Sequence, residues 1–169
     1  NNLTNIKLAD QFKFHTITRK YQAITWGVPV NQTIEGYIER HRINRKKMSF
    51  NKEEKGKFSK TTIKLIKSFQ NASLVECTLD TGRTHQIRLH LTSVDAPIVG
   101  DEVYGKNRVS KYGLDKKNFN KFLILKNFQR QALHATHLGF FHPTLKKNME
   151  FNAKLPDDMA NLLDLLLKH

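Results

Sequence analysis

The sequence predicts one α+β domain in which a mixed, mainly antiparallel sheet is flanked by helices. Apolar and polar residues alternate in several short runs, as they do in half-buried strands. In other segments apolar residues recur at i, i+4 and i+7, the spacing of one helix face. The 169 residues are enough for a single domain with its own hydrophobic core, and 11 phenylalanines supply large core anchors.

The first half of the chain predicts a helix, a strand and a hairpin. Apolar residues at helical spacing across 3–14 indicate a short helix. Alternation across 20–27, followed by a glycine and a proline, indicates a strand. Dense positive charge across 39–60 is typical of turns and short extended pieces. The runs 61–69 and 74–79 flank a polar turn and therefore predict an antiparallel hairpin.

The second half predicts two helices and two strands around a long loop. After a glycine, residues 84–94 take a helical period. The Gly- and Lys-rich stretch 100–121 predicts a surface loop. Strands are expected at 132–141 and 149–153. Residues 156–167 begin with Pro-Asp-Asp, and this places acidic residues at a helix N-terminus.

Positive charge is the clearest compositional feature. The formal net charge is +14, from 29 Lys and Arg against 15 Asp and Glu. Such a surface attracts polyanions, so nucleic acid is the favoured partner, with a merely soluble basic protein as the alternative. A membrane partner is disfavoured, because no run approaches the roughly 18 apolar residues of a span and no helix has a strongly basic polar face.

Cysteine content and the N-terminal sequence bear on compartment. Cys77 is the only cysteine, so no intramolecular disulfide is possible and a reducing, cytoplasmic location is expected. A lone cysteine is most often a small buried hydrophobe. The first residues do not show the charged and apolar pattern of a signal peptide.

The segment 81–91, Thr-Gly-Arg-Thr-His-Gln-Ile-Arg-Leu-His-Leu, concentrates the chemistry. A strand ends at glycine and a helix begins with Thr84 in a capping position. Crowded basic side chains at a helix start favour anion binding. Arg88 borders the apolar stripe, so it is expected to be half-buried and to need an anionic partner. Within the domain, Asp80 or Asp101 could supply it.

Metal binding by the histidines is not expected. His85 and His90 are five residues apart and do not share a helical face, and His134 and His137 fall on opposite faces of a strand. For each of them, packing or RNA contact is the simpler interpretation.

Residues 81–88, followed by Pro-Ile-Val-Gly-Asp-Glu-Val-Tyr-Gly at 97–105, resemble the signature of the RluA-type pseudouridine synthases. Other stretches agree in the expected order. They are Arg-Lys-Tyr and Trp-Gly within 19–27, the basic turn 45–48, Arg-Gln-Ala-Leu-His-Ala at 130–135 with His-Pro at 142–143, and Leu-Pro-Asp-Asp-Met at 155–159. The details resemble the RluD subgroup, which modifies a stem-loop of large-subunit ribosomal RNA.

The resemblance implies isomerisation of uridine to pseudouridine in RNA, without a metal or an organic cofactor, on a base flipped into a pocket. It implies that Arg88 pairs with a catalytic aspartate, that Tyr21 stacks on the base or transfers a proton, and that Leu133 packs against the base or the aspartate. For Tyr21 and Leu133, ordinary core packing remains the alternative. The implied RNA-binding residues are Arg19, Lys20, Arg42, Arg45, Lys46, Lys47, Arg83, His85 and Arg130, and for the basic turn a solvated face is the alternative.

The sequence departs from the family pattern in one respect. The family's nucleophile lies in a His-Arg-Leu-Asp motif that does not occur here and is expected shortly upstream of Asn1. Asp10 does not replace it, because its neighbours match the helix after that motif. Residues 1–169 are therefore expected to be the C-terminal portion of the catalytic domain, without the family's S4-type module.

This departure leaves two hypotheses. The first is an incomplete part of a monomeric pseudouridine synthase, inactive alone and prone to self-association through its incomplete sheet. The second is a non-catalytic RNA-binding or ribosome-associated module of the same fold. Both predict RNA binding that weakens as salt rises.

Overall fold

A computed structural model describes residues 2–105 and 119–168, with side chains from residue 4. Seven antiparallel strands form one sheet in the order β3-β2-β4-β5-β1-β6-β7, and helices flank it. This confirms the predicted α+β class. The elements are α1 (Asn2–Lys13), β1 (Thr18–Trp26), β2 (Gln32–Arg40), β3 (Met48–Asn51), β4 (Lys57–Phe69), β5 (Ala72–Leu79), α2 (Gln86–Ser93), α3 (Phe119–Lys126), β6 (Leu133–His142), β7 (Lys147–Asn152) and α4 (Asp157–Lys168).

The middle of the sheet is the best buried part of the fold. The predicted hairpin is confirmed: β4 and β5 pair across a connection of two residues, and Gln70 takes the positive φ of 58° that such a tight turn favours. Val75 and Cys77 of β5 have no exposed surface. Burial raises the pKa of the Cys77 thiol to about 12, so this residue behaves as a small hydrophobe, as expected.

Strand alternation assigns the two faces of the sheet to different partners. Tyr21 of β1 lies opposite Cys77, on the face against which α2 packs through a hydrogen bond between His90 and Ser59 of β4. The alternate residue Trp26 lies on the other face, where its ring is 5.6 Å from that of Phe122 in α3. The two faces therefore contact different helices, and the α2 face holds the motif segment.

Two elements were not predicted. Strand β2 contains Gly36, which looks like a strand breaker, but a Cβ there would lie only 2.5 Å from Phe50. The glycine thus lets β3 approach closely, and β2 still alternates with Ile34 and Ile38 buried. Helix α3 begins inside the predicted loop, and most of the rest of that loop lies outside the described residues. Within the described ranges, no helix is both long and apolar enough to cross a bilayer.

Candidate functional site

The start of α2 is held by the side chain of Gln86. Its Nε2 donates to Lys60 O and to Thr61 Oγ1, both at 2.9 Å. Its Oε1 accepts from the Thr81 hydroxyl at 2.8 Å and from the Arg83 N–H at 2.9 Å. The predicted Thr84 cap is wrong: the N-cap is His85, which makes no side-chain cap bond. Gln86 satisfies the polar groups of this turn instead and fixes the helix to β4.

His90 completes the same buried network. The residue is fully buried, and its ring nitrogens hydrogen bond with Thr61 Oγ1 at 2.9 Å and Ser59 Oγ at 3.0 Å. Burial, followed by the charge of Lys52, lowers the pKa of His90 to about 4, so the ring is neutral near pH 7. Its role is structural. Within residues 2–105 and 119–168, no group of three or more potential metal-ligating side chains occurs.

Arg88 is buried in a bidentate ion pair. Its Nε donates to Asp101 Oδ2 at 2.7 Å and its Nη2 to Oδ1 at 2.8 Å. Asp101 Oδ1 also accepts the N–H groups of Val103 and Tyr104. The predicted choice between two carboxylates is resolved in favour of Asp101, whereas Asp80 lies 3.9 Å from the Lys60 ammonium. The Arg88 Nη1 takes no part in this pair.

Tyr104 joins the basic turn to α2. Its hydroxyl oxygen accepts the Met48 N–H at 2.8 Å and hydrogen bonds with His85 Nδ1 at 2.8 Å. The Arg88 guanidinium carbon lies 4.7 Å from the centre of its ring. Nearby, Lys47 Nζ donates to Val103 O at 3.2 Å. No role for Tyr104 was predicted from the sequence, in which its only signal is its position in the 97–105 motif.

His85 occupies a strained position at the mouth of this cluster. Its φ is 59°, in the left-handed region that non-glycine residues seldom adopt. Burial lowers its pKa, with a smaller contribution from the positive charge of Arg88. Both effects favour the neutral form of the His85 ring.

A basic groove of about 510 Å³ opens beside the start of α2. Of the predicted RNA-binding residues, Arg45, Lys46, Arg83 and His85 line it together. Arg83 is fixed there by a bond of 2.8 Å from its Nε to Phe58 O. Two further cations of the lining, Arg40 and Lys57, were not predicted to bind RNA. The charged and histidine residues of the groove are Arg40, Arg45, Lys46, Lys57, Arg83 and His85, with Glu39 as the one acid.

Other predicted RNA-binding residues lie outside this groove. Lys20 faces the opposite side of the sheet, 3.7 Å from Glu76. Arg42 lines a second groove beside β3. Arg130 makes a bidentate pair with Asp158 of α4, with both bonds 2.7 Å long. RNA contact by these three residues stays a prediction.

Tyr21 and Leu133 are neighbours on the α2 face of the sheet. Tyr21 pairs with Ala135, and Leu133 pairs with Ala23, so the two side chains are diagonal neighbours roughly 7–8 Å apart at Cα. Both are half-buried and pack against the core. Their position suits either core packing or contact with a bound base, and their catalytic roles stay predictions.

Comparison with known proteins identifies the family. The model of the RNA pseudouridylate synthase family matches residues 4–93. The chain is 42% identical over 164 residues to ribosomal large subunit pseudouridine synthase D of Zymomonas mobilis, across 95% of this chain and 48% of that protein. It is 36% identical over 171 residues to an uncharacterized RNA pseudouridine synthase, YlyB, of Bacillus subtilis, across 100% of this chain and 50% of that protein.

A solved structure shows the same fold. Human RNA pseudouridylate synthase domain containing 4 superposes with a TM-score of 0.72 at 24% identity, across 99% of this chain and 69% of that chain. The chain belongs to the RNA pseudouridylate synthase family, as an RluD-like member of the RluA type. It spans about half the length of the curated relatives it matches.

Proposed function

We propose that this chain is the C-terminal portion of the catalytic domain of an enzyme that isomerises uridine to pseudouridine in large-subunit ribosomal RNA. The observation that carries the proposal is the basic groove, which opens where α2 begins and whose lining residue His85 lies three residues before the buried Arg88. Family membership and the likeness to ribosomal large subunit pseudouridine synthase D support the reaction and the substrate class.

The proposed reaction exchanges one bond for another on the same sugar carbon. The N-glycosidic bond breaks, a C–C bond forms between the ribose and the base, and the base loses one carbon-bound proton as it gains a proton on nitrogen. No oxidant or reductant is needed. Cations in the groove would hold the RNA backbone while the target base leaves its stack.

Arg88 would keep a nucleophilic carboxylate ionised. A guanidinium remains charged at any working pH, and a cation within a few ångströms lowers the pKa of a carboxyl group. Because Asp101 takes Nε and Nη2, we assign Nη1 to the second carboxylate. That carboxylate is expected from a His-Arg-Leu-Asp motif outside this chain, an expectation that fits the greater length of the relatives.

Tyr21 and Leu133 would form the wall against which the base rests. Their diagonal placement and half-burial would give a partly apolar surface on the α2 face of the sheet. Aromatic stacking on a flipped base contributes about 1–3 kcal/mol. A phenol on the same ring can also transfer a proton.

Pseudouridine formation on large-subunit ribosomal RNA tests the proposal, with the product detected by mass spectrometry of RNA digests. The full-length protein should form pseudouridine, and residues 1–169 alone should form none. Arg88→Lys in the full-length protein should fold but lose most activity, because lysine cannot make a bidentate pair.

Three outcomes would count against the proposal. Product formed by residues 1–169 alone would refute the expected position of the nucleophile. Full activity of Arg88→Lys would reject the role of Arg88. RNA binding by a full-length protein that forms no product would instead support the non-catalytic module.

A further inference from the structure

Arg19 differs from the other described arginines that are not exposed. Arg88 pairs with Asp101, and Arg83 donates its Nε to Phe58 O. Among the described residues, no acid lies within ion-pair distance of the half-buried Arg19, and its Nε is buried without a hydrogen-bond partner. A cation that is partly removed from water without a counter-ion is costly unless a ligand supplies one.

Packing alone holds the Arg19 guanidinium. On one side its carbon lies 5.8 Å from the centre of the Phe12 ring of α1. On the other side it lies against Gly82, where an added Cβ would overlap Nη1. Gly82 does not take a positive φ, so the missing Cβ matters here for the space that it leaves to the guanidinium rather than for backbone conformation. The cation is therefore placed in advance of any ligand.

This position lies between the basic groove and Tyr21. Gly82, which the guanidinium touches, is part of the groove lining. Arg19 and Tyr21 are two residues apart on β1, so their side chains emerge on the same face about 7 Å apart along the strand. An RNA strand that passes from the groove to Tyr21 would therefore run past the Arg19 side chain.

We propose that Arg19 binds one RNA phosphate, the one adjacent to the nucleotide whose base rests on Tyr21. The ligand class is a phosphodiester, which the planar guanidinium fork recognises through charge-assisted hydrogen bonds. The proposal rests on the function proposed above and deepens it: the groove binds the strand, and Arg19 fixes which nucleotide reaches the wall formed by Tyr21 and Leu133.

The test uses the full-length protein and a stem-loop RNA that the wild-type protein modifies. Single phosphates of the RNA are replaced, one at a time, by neutral methylphosphonates. Arg19→Gln should weaken binding roughly tenfold, the effect of losing one hydrogen bond to a charged group. Neutralising the phosphate beside the modified uridine should weaken binding of the wild type by a similar factor and leave Arg19→Gln unaffected.

Gly82→Ala provides a second variant that leaves the charge in place. The new methyl group displaces only the end of the flexible Arg19 side chain, so the protein should fold and should bind RNA as weakly as Arg19→Gln. Adding Gly82→Ala to Arg19→Gln should cause little further loss. Lys64→Gln is the matched control, because it removes one exposed cation from β4 on the opposite face of the sheet and should not change binding.

The outcomes separate this inference from the proposed function. If Arg19→Gln binds the RNA as tightly as the wild type, the inference is overturned. It is also overturned if the methylphosphonate to which Arg19→Gln has become insensitive lies at a phosphate remote from the modified uridine. In both cases pseudouridine formation by the wild type would leave the proposed function intact. If the wild-type protein forms no pseudouridine in large-subunit ribosomal RNA, the proposed function fails and this inference fails with it.

Discussion

The basic residue types around the start of α2 fall into two regions with opposite environments. In the interior, Arg88 pairs with Asp101 and the neutral His90 is hydrogen bonded at both ring nitrogens. In the basic groove, Arg45 and Lys46 are exposed and face water. A buried charge needs a partner, whereas an exposed charge contributes little to stability. The interior region thus holds the fold, and the groove region keeps its charge available for an anion.

Breaking the interior pair should give the largest effect. Asp101→Ala leaves Arg88 charged in the interior and removes the acceptor of two backbone N–H groups. We expect a loss of about 3–5 kcal/mol in the free energy of unfolding, measured by urea denaturation. Asp158→Ala is the control, since its pair with Arg130 has side chains 43% and 44% exposed and should contribute at most about 1 kcal/mol. Equal losses of unfolding free energy in the two variants would show that the interior pair stabilises the fold no more than the exposed pair does.

The pH dependence of stability tests whether His90 is neutral in the folded protein. The pKa of His90 is lowered from 6.5 to about 4 in the folded state. Between these values the unfolded chain binds a proton that the folded chain does not. Stability is therefore complete above pH 6.5 and falls as the pH drops toward 4, by roughly 3 kcal/mol from this residue. In His90→Gln, urea denaturation between pH 4 and 7 should show a shallower slope, and an unchanged slope would contradict this assignment.

Local patterns predicted most of the fold, whereas the site depends on contacts between distant segments. The helical and alternating periods located α1, β1, the β4–β5 hairpin and α4. Strand β2 was not predicted, and the close approach of β3 at Gly36 becomes visible only in the folded sheet. The motif indicated Arg88, and its expected burial indicated an anionic partner, for which Asp80 and Asp101 were two examples within the domain.

The Tyr104 contacts show why the rest of the site could not be predicted. Its hydroxyl meets Met48 and His85, which are 56 and 19 residues away along the chain. No local sequence pattern predicts hydrogen bonds between residues that lie so far apart along the chain. The unpaired state of Arg19 is hidden in the same way, since it depends on α1 and on Gly82 together.

Removing the link between the two regions should have a smaller effect than breaking the interior pair. Tyr104→Phe leaves the Met48 N–H and the His85 ring without their shared partner, at a cost of about 1–2 kcal/mol in urea denaturation. RNA binding should also weaken, because the basic turn loses an anchor. Tyr37→Phe, which removes a hydroxyl bonded only to Glu54, should change both quantities much less. If Tyr37→Phe lost more unfolding free energy or more RNA affinity than Tyr104→Phe, the role of Tyr104 in joining the basic turn to α2 would be contradicted.

Salt dependence of RNA binding tests the central claim most directly. Arg45→Gln, Lys46→Gln and Lys57→Gln remove three exposed cations from the groove. Each lost phosphate contact lowers the slope of log affinity against log salt by about 0.7–0.9. The magnitude of this slope should therefore be smaller by about 2–3 in the triple variant. Each substitution should change the free energy of unfolding by no more than about 0.5 kcal/mol. An unchanged slope in a folded triple variant would show that the groove does not bind the RNA backbone.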